Sequence, residues 1–160
     1  MIVDERLVTY INSLDTGNTE ILDQIEKEAI AAYVPIIRKE MQSFLKLLLA
    51  MQKPMRILEV GTAVGFSAIL MAQYAPADCK IVTIENYEKR IPVAKENFKR
   101  AGKDEQITLL EGDAMQILPT LSGEFDMIFM DAAKGQYINF MPDILRLLKS
   151  GGVLVSDNVL

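Results

Sequence analysis

Five short segments hold the residue types that could do chemistry: residues 61–67, Glu85, Asp113, residues 131–134 and residues 156–158. Each follows a short apolar run, and four of the five contain an acid. Acids at the end of one run after another are hard to explain by packing alone, since charged groups avoid the interior. The first segment belongs to the loop Glu59-Val60-Gly61-Thr62-Ala63-Val64-Gly65-Phe66-Ser67. Gly61 suits a tight turn, and Gly65 suits a close backbone approach at a helix start. The loop is not Gly-x-Gly-x-x-Gly, because Ala63 and Phe66 stand where glycines would, and no lysine follows Gly65 as in a Walker A loop. A pyrophosphate-binding role is thereby weakened, and the loop alone reads equally well as a plain strand–helix turn. Glu85, 24 positions after Gly61, falls where an acid can accept both ribose hydroxyls of an adenosine ligand. Alone it also reads as a solvated strand-end acid. Asp113, in Glu111-Gly112-Asp113-Ala114, could border an adenine, or be ordinary Gly-Asp turn chemistry.

Composition removes several alternatives. There is no histidine among 160 residues, which excludes His-based zinc sites, Ser-His-Asp triads and histidine general bases. The single Cys79 cannot form an internal disulfide and suits a reducing compartment. A net charge of −5 argues against a protein that is basic all over. The opening Met1-Ile2-Val3-Asp4-Glu5 lacks the basic segment and apolar core of a signal peptide. The most apolar stretch, residues 44–51, is interrupted by Lys46 and is too short to span a bilayer. A cytoplasmic protein without a membrane segment is expected.

The elements that must position these residues are legible as alternation. Apolar runs at residues 56–60, 80–85, 107–111, 125–131 and 152–156 alternate with helix-like stretches near residues 66–75, 88–101, 115–121 and 142–149. Apolar rather than alternating strands predict a parallel sheet covered on both faces, a doubly wound α/β fold. Gly102 and Gly151 sit where glycines terminate helices. Before Pro54 the chain reads helical: residues 4–13, a second helix from Ile21 carrying Leu22, Ile25, Ala29, Ile30 and Tyr33, and a third over about residues 38–51 with Met41, Phe44, Leu45 and Leu48 on one face. Asn18 or Thr19 can cap the second. One domain is expected, with a helical cap over residues 1–53 and a core over 54–160. Ligands of such sheets bind beyond the carboxyl ends of the strands.

Taken in order, Ile57-Leu-Glu-Val-Gly-Thr-Ala-Val-Gly-Phe-Ser67, Glu85, Glu111-Gly-Asp-Ala114, Phe125-Asp-Met-Ile-Phe-Met-Asp-Ala-Ala-Lys134 and Gly151-Gly-Val-Leu-Val-Ser-Asp-Asn158 resemble the cation-dependent class I O-methyltransferases, relatives of catechol and caffeoyl-CoA O-methyltransferase. The resemblance covers about residues 35–160. It implies a Rossmann-like, seven-stranded sheet, S-adenosyl-L-methionine and a divalent metal. Carried over, Glu59, Gly61 and Ser67 would line the methionine end of the cofactor, Glu85 would hold the ribose, and Asp113 and Ala114 would border the adenine. Ile37 would cover the cofactor from the N-terminal side, and Asp131 would also lie against it. One departure stands nearby: family members often carry glycine where this chain has Gln42.

Asp131 ends the fourth run, and Asp157 and Asn158 end the fifth. Two carboxylates and an amide oxygen form a hard donor set suited to Mg²⁺, or Mn²⁺, rather than zinc. Such an ion would hold two vicinal oxygens of a substrate and lower a hydroxyl pKa. Lys134 matches the family's catalytic lysine and would accept the hydroxyl proton. Two rival readings are a non-catalytic adenosine-binding protein, expected to lose the metal acids or the lysine, and a nucleotide-dependent oxidoreductase, which the missing third glycine opposes. For the acceptor, similarity to small bacterial members that include tRNA 5-hydroxyuridine methyltransferases favours 5-hydroxyuridine in tRNA over a small catechol-like molecule. The basic helix with Lys89, Arg90, Lys95, Lys99, Arg100 and Lys103 reads as a solvated face, with an RNA patch as the alternative. A homodimer is expected. The family continues with a helix and an antiparallel strand pair, so a chain cut short, or a fifth strand covered by another subunit, is expected too.

Overall fold

Val, Ile, Leu, Met and Phe fill the five apolar runs, and together they form one sheet. The computed structural model describes residues 4–132 and 134–157. The strands are β1 (Arg56–Val60), β2 (Lys80–Glu85), β3 (Ile107–Glu111), β4 (Phe125–Met130) and β5 (Leu148–Ser156). All neighbours pair parallel, in the order β3-β2-β1-β4-β5. The order reverses between β1 and β4, so the crevice of this Rossmann-like sheet opens there.

Side chains alternate between two cores, as the pleat requires. Ile57, Ile81, Met127 and Phe129 point to one face, and Leu58, Val60, Ile128 and Met130 to the other. Helix α4 (Phe66–Tyr74) lies on the first face and is buried from Phe66 to Ala72. A helix apolar all round must be covered on its outer side as well. Helices α2 (Glu20–Ala31) and α3 (Lys39–Gln52) do this through Leu22, Ile25, Ala29, Leu45 and Leu49. Before them runs α1 (Glu5–Ser13), capped by Asp4, whose carboxylate accepts from Arg6 N at 2.8 Å. Helix α5 (Ile91–Arg100) is clamped to α2 by a bidentate pair, Arg100 to Glu28 at 2.7 and 2.9 Å. On the second face lie the short α6 (Ala114–Ile117) and α7 (Tyr137–Leu147), whose Phe140, Ile144 and Leu147 are buried. Among the described residues no helix is long and apolar enough to cross a membrane.

Several expectations are corrected. Phe44 is exposed and α3 instead buries Gln42, Leu45 and Leu49, because the face is set by α4 rather than by hydrophobicity alone. Ile30 is exposed on the outer face of α2, and Tyr33 is exposed because the helix ends at Ala31 and Tyr33 takes a left-handed turn at φ 54°. Thr19 occupies the N-cap of α2 without a capping side-chain bond. Pro142 lies inside α7, which starts five residues earlier than expected. Gly151 belongs to β5, whose register shifts opposite residues 125–127, and does not close α7.

Candidate functional site

The carboxyl ends of the strands enclose a cavity of about 670 Å³, within the range of small-ligand pockets. Its floor is the β1–α4 loop. Gly61 N donates to Ile84 O at 3.1 Å, and Gly65 N to Thr62 O at 2.8 Å. Gly61 has φ 103°, and a Cβ there would overlap the backbone carbonyl of Asp131. Gly65 has φ 86°, with Phe98 packed where its Cβ would stand. Ala63 between them is left-handed at φ 48°, a costly conformation for alanine.

Glu85 accounts for that strain. Its Oε2 accepts from Ala63 N at 2.7 Å, and its Oε1 accepts from Asn86 N at 3.0 Å and Tyr87 N at 2.9 Å. It is buried yet lines the cavity. The acid expected to hold a ribose therefore also shapes the glycine loop.

Glu59 is fully buried and is not among the residues lining the cavity; it stands behind the wall. Ser67, which does line it, donates to Glu59 Oε1. Thr83 Oγ1 donates to Oε2 at 2.5 Å and lies 2.5 Å from Thr62 Oγ1. Burial pushes the Glu59 carboxyl up to about 8, against the two hydroxyls that pull it down; Asp131 and Glu85 add to the rise. Glu59 thus meets the cavity only through Ser67. The hydroxyl chain Ser67–Glu59–Thr83–Thr62 gave no sequence signal beyond its residue types.

At the end expected to take adenosine, Asp113 caps α6, accepting from Met115 N at 2.9 Å, and with Ala114 it borders the cavity. The loop hangs from β2 through Gly112 N to Glu85 O at 2.8 Å. Tyr87 and Arg90 also line this end, the guanidinium 5.3 Å from the ring centroid; in sequence Arg90 reads only as part of a basic helix. That helix is partly neutralised, since Lys95 pairs with Glu111 and Arg100 with Glu28. Ile37 is buried and closes the opposite wall with Pro35 and Ile36.

At the other end, Asp131 N donates to Val60 O and Asp157 N to Met130 O, each at 3.0 Å. Continuing the Met130–Ser156 register sets the two acids side by side, and both line the cavity. Tyr137 ties the strand ends together, its hydroxyl donating to Met130 O at 3.0 Å and Asp157 O at 3.3 Å. Burial raises the Tyr137 pKa, and the charge of Asp131, then of Asp157, raises it further. Among the described residues no three of His, Cys, Asp and Glu gather as a metal cluster. Both acids are hard oxygen donors, the class of ligand that a divalent cation takes. Asn158 lies outside the described residues, as does the side chain of Lys134, which opens a short 3₁₀ turn, Lys134–Gln136.

The model of the O-methyltransferase family matches residues 12–160. The chain belongs to that family. It is 40% identical over 121 residues to a catechol O-methyltransferase of Niastella koreensis, covering 73% of this chain and 55% of that protein. It is 35% identical over 154 residues to a catechol O-methyltransferase of Mycobacterium tuberculosis, covering 94% and 70%. Among solved structures, the O-methyltransferase TomG of Streptomyces achromogenes in complex with S-adenosylmethionine superposes with a TM-score of 0.86 at 31% identity, covering 99% of this chain and 75% of TomG. The chain thus spans between about half and three quarters of the length of these O-methyltransferases.

Proposed function

We propose that this chain carries the catalytic site of an S-adenosylmethionine-dependent O-methyltransferase acting on a hydroxyl with a vicinal oxygen. The observation that carries the reading is that Glu85 at one end and the Asp131–Asp157 pair at the other line one cavity. Glu85 accepts the ribose hydroxyls, Asp113 and Ala114 border the adenine, and Ser67, held by Glu59, meets the methionine end. Asp131 and Asp157, with Asn158, would hold a divalent cation. When bound, such an ion would supply Lewis acidity that lowers the pKa of the acceptor hydroxyl. Lys134 takes the proton from the acceptor hydroxyl. The acceptor oxygen then forms its bond to the methyl carbon in line as the sulfur–methyl bond breaks, leaving S-adenosylhomocysteine. The chain's main contribution is to hold both partners in that line.

The acceptor we carry forward is a small catechol-like molecule. The relatives' names and the ion pairs on α5 support it. Hydroxyuridine in tRNA offers the same vicinal-oxygen chemistry and is the competing arm of the test. The protein is given labelled S-adenosylmethionine with a simple catechol or with hydroxyuridine-containing tRNA, each with and without EDTA. Label in catechol, abolished by EDTA and restored by Mg²⁺ or Mn²⁺, is expected. Label in tRNA alone overturns the small-molecule acceptor, and full transfer in EDTA overturns the metal. Exposed Leu7 and Tyr10 on α1 and Leu14 at its C-cap, with Phe44 and Leu47 on α3, support pairing of two copies, which light scattering reads.

A further inference from the structure

The cavity wall formed by Pro35, Ile36 and Ile37 belongs to the connection between α2 and α3 and lies outside both helices. At its start, Val34 N donates to Ala29 O at 2.9 Å. At its end the tie is a side chain: Gln42 Nε2 donates to Ile37 O at 3.0 Å. Gln42 is 1% exposed, on the same face of α3 as apolar Leu45 and Leu49. Its Nε2 also lies 3.1 Å from Glu26 Oε1 on α2, and its Oε1 accepts from Asn18 Nδ2 at 2.8 Å. Glu26 Oε2 takes Lys39 Nζ at 2.7 Å. A buried amide in an apolar face is costly unless its groups are matched. Here the bonds join the turn before α2, α2, α3 and the cavity wall.

We propose that Gln42 is a positioning residue that fixes the Ile37 carbonyl, and with it the placement of the residue 35–37 wall over the cofactor, so that cofactor affinity depends on it while turnover does not. The inference rests on the cofactor reading above. Gln42→Met keeps the volume and removes the amide, so the Ile37 carbonyl is left buried without its donor. S-adenosylhomocysteine affinity by calorimetry is expected to fall roughly five- to thirty-fold. The turnover number at saturating cofactor should stay within about twofold, because the acids and Lys134 are untouched. Asn18→Ala is the control: it removes another partner of the same amide but leaves the bond to Ile37, and should cost less than about threefold.

Hydrogen exchange of the unliganded protein gives a readout independent of the cofactor. In Gln42→Met the amides of Ile36 and Ile37 should exchange faster while β1 stays protected as in the wild type. Gln42→Glu supplies a second variant: an ionised carboxyl cannot donate to Ile37 O, and a protonated one can. Its affinity relative to wild type should recover as the pH falls toward 5, with Glu26 and Lys39, the charged groups facing that point, common to both proteins. Unchanged affinity in Gln42→Met, or an equal loss in Asn18→Ala, overturns the assignment. A wild type that binds neither S-adenosylmethionine nor S-adenosylhomocysteine removes the cofactor reading instead. The exchange rates at Ile36 and Ile37 then still decide whether Gln42 holds the wall: faster exchange supports it and unchanged exchange overturns it.

Discussion

Glu85 and Ala63 share a 2.7 Å hydrogen bond, carboxylate to backbone amide, in the lining of the cavity. With the bonds to Asn86 and Tyr87, three backbone amides depend on one side chain. Glu85→Ala should therefore lower S-adenosylmethionine and S-adenosylhomocysteine affinity at least about tenfold, and stability by about 1–3 kcal/mol. Glu85→Gln keeps an acceptor oxygen and should fall between. Calorimetry and urea unfolding on the same samples check both, and an alanine variant with wild-type affinity would remove Glu85 from the site.

Gly61→Ala should be among the most damaging single-methyl additions in the chain. The new Cβ meets the Asp131 carbonyl as well as an unfavourable φ, so a loss of about 3 kcal/mol or more is expected. Gly102→Ala has open space around it and should cost only about 1 kcal/mol. Similar denaturation midpoints for the two variants would contradict the close approach of β1 and β4.

The buried Glu59 makes stability depend on pH. Its native pKa is raised to about 8 from an ordinary 4.5, so the folded state holds a proton that the unfolded chain releases. The stability it contributes is complete below about pH 4.5 and is lost as the pH rises through about 8, by up to about 1.4 kcal/mol per pH unit. Glu59→Gln lacks that proton, so the gap between variant and wild type should widen in the variant's favour between pH 5 and 8. Parallel stability curves would refute it.

Asp131→Asn and Asp157→Asn should each reduce transfer at least about a hundredfold at limiting Mg²⁺. Asp157→Asn should leave S-adenosylhomocysteine binding within about twofold, since Asp157 ends the strand farther from the adenosine end. An equal loss of cofactor affinity in that variant would show the pair serving the cofactor rather than a metal.

The strands were legible because a parallel sheet covered on both faces needs unbroken apolar runs, and β1, β2 and β3 begin and end where those runs do. The strand-end rule then brought Glu85, Asp113, Asp131 and Asp157 to one cavity. What escaped depends on contacts distant in sequence. Nothing near Phe44 says that α4 will pack on the opposite side of α3. Pro142 looked like a helix start, yet α7 continues through it. Glu59 looked like a ligand-facing acid, but the pleat that sends Val60 to one core turns Glu59 into the other, under Ser67.

The contact of Gly61 with the Asp131 backbone has an evolutionary side. At that point the β1 loop and the end of β4 are gauged against each other by main chain. Side chains such as Gln136, Phe140 and Ile36 border the cavity without taking part in that gauge. Exchanging such a side chain does not by itself move the Gly61–Asp131 contact. On the proposed methyl-transfer reading, a lineage built on this chassis could thus diversify what it methylates while inheriting, unchanged, how it does so.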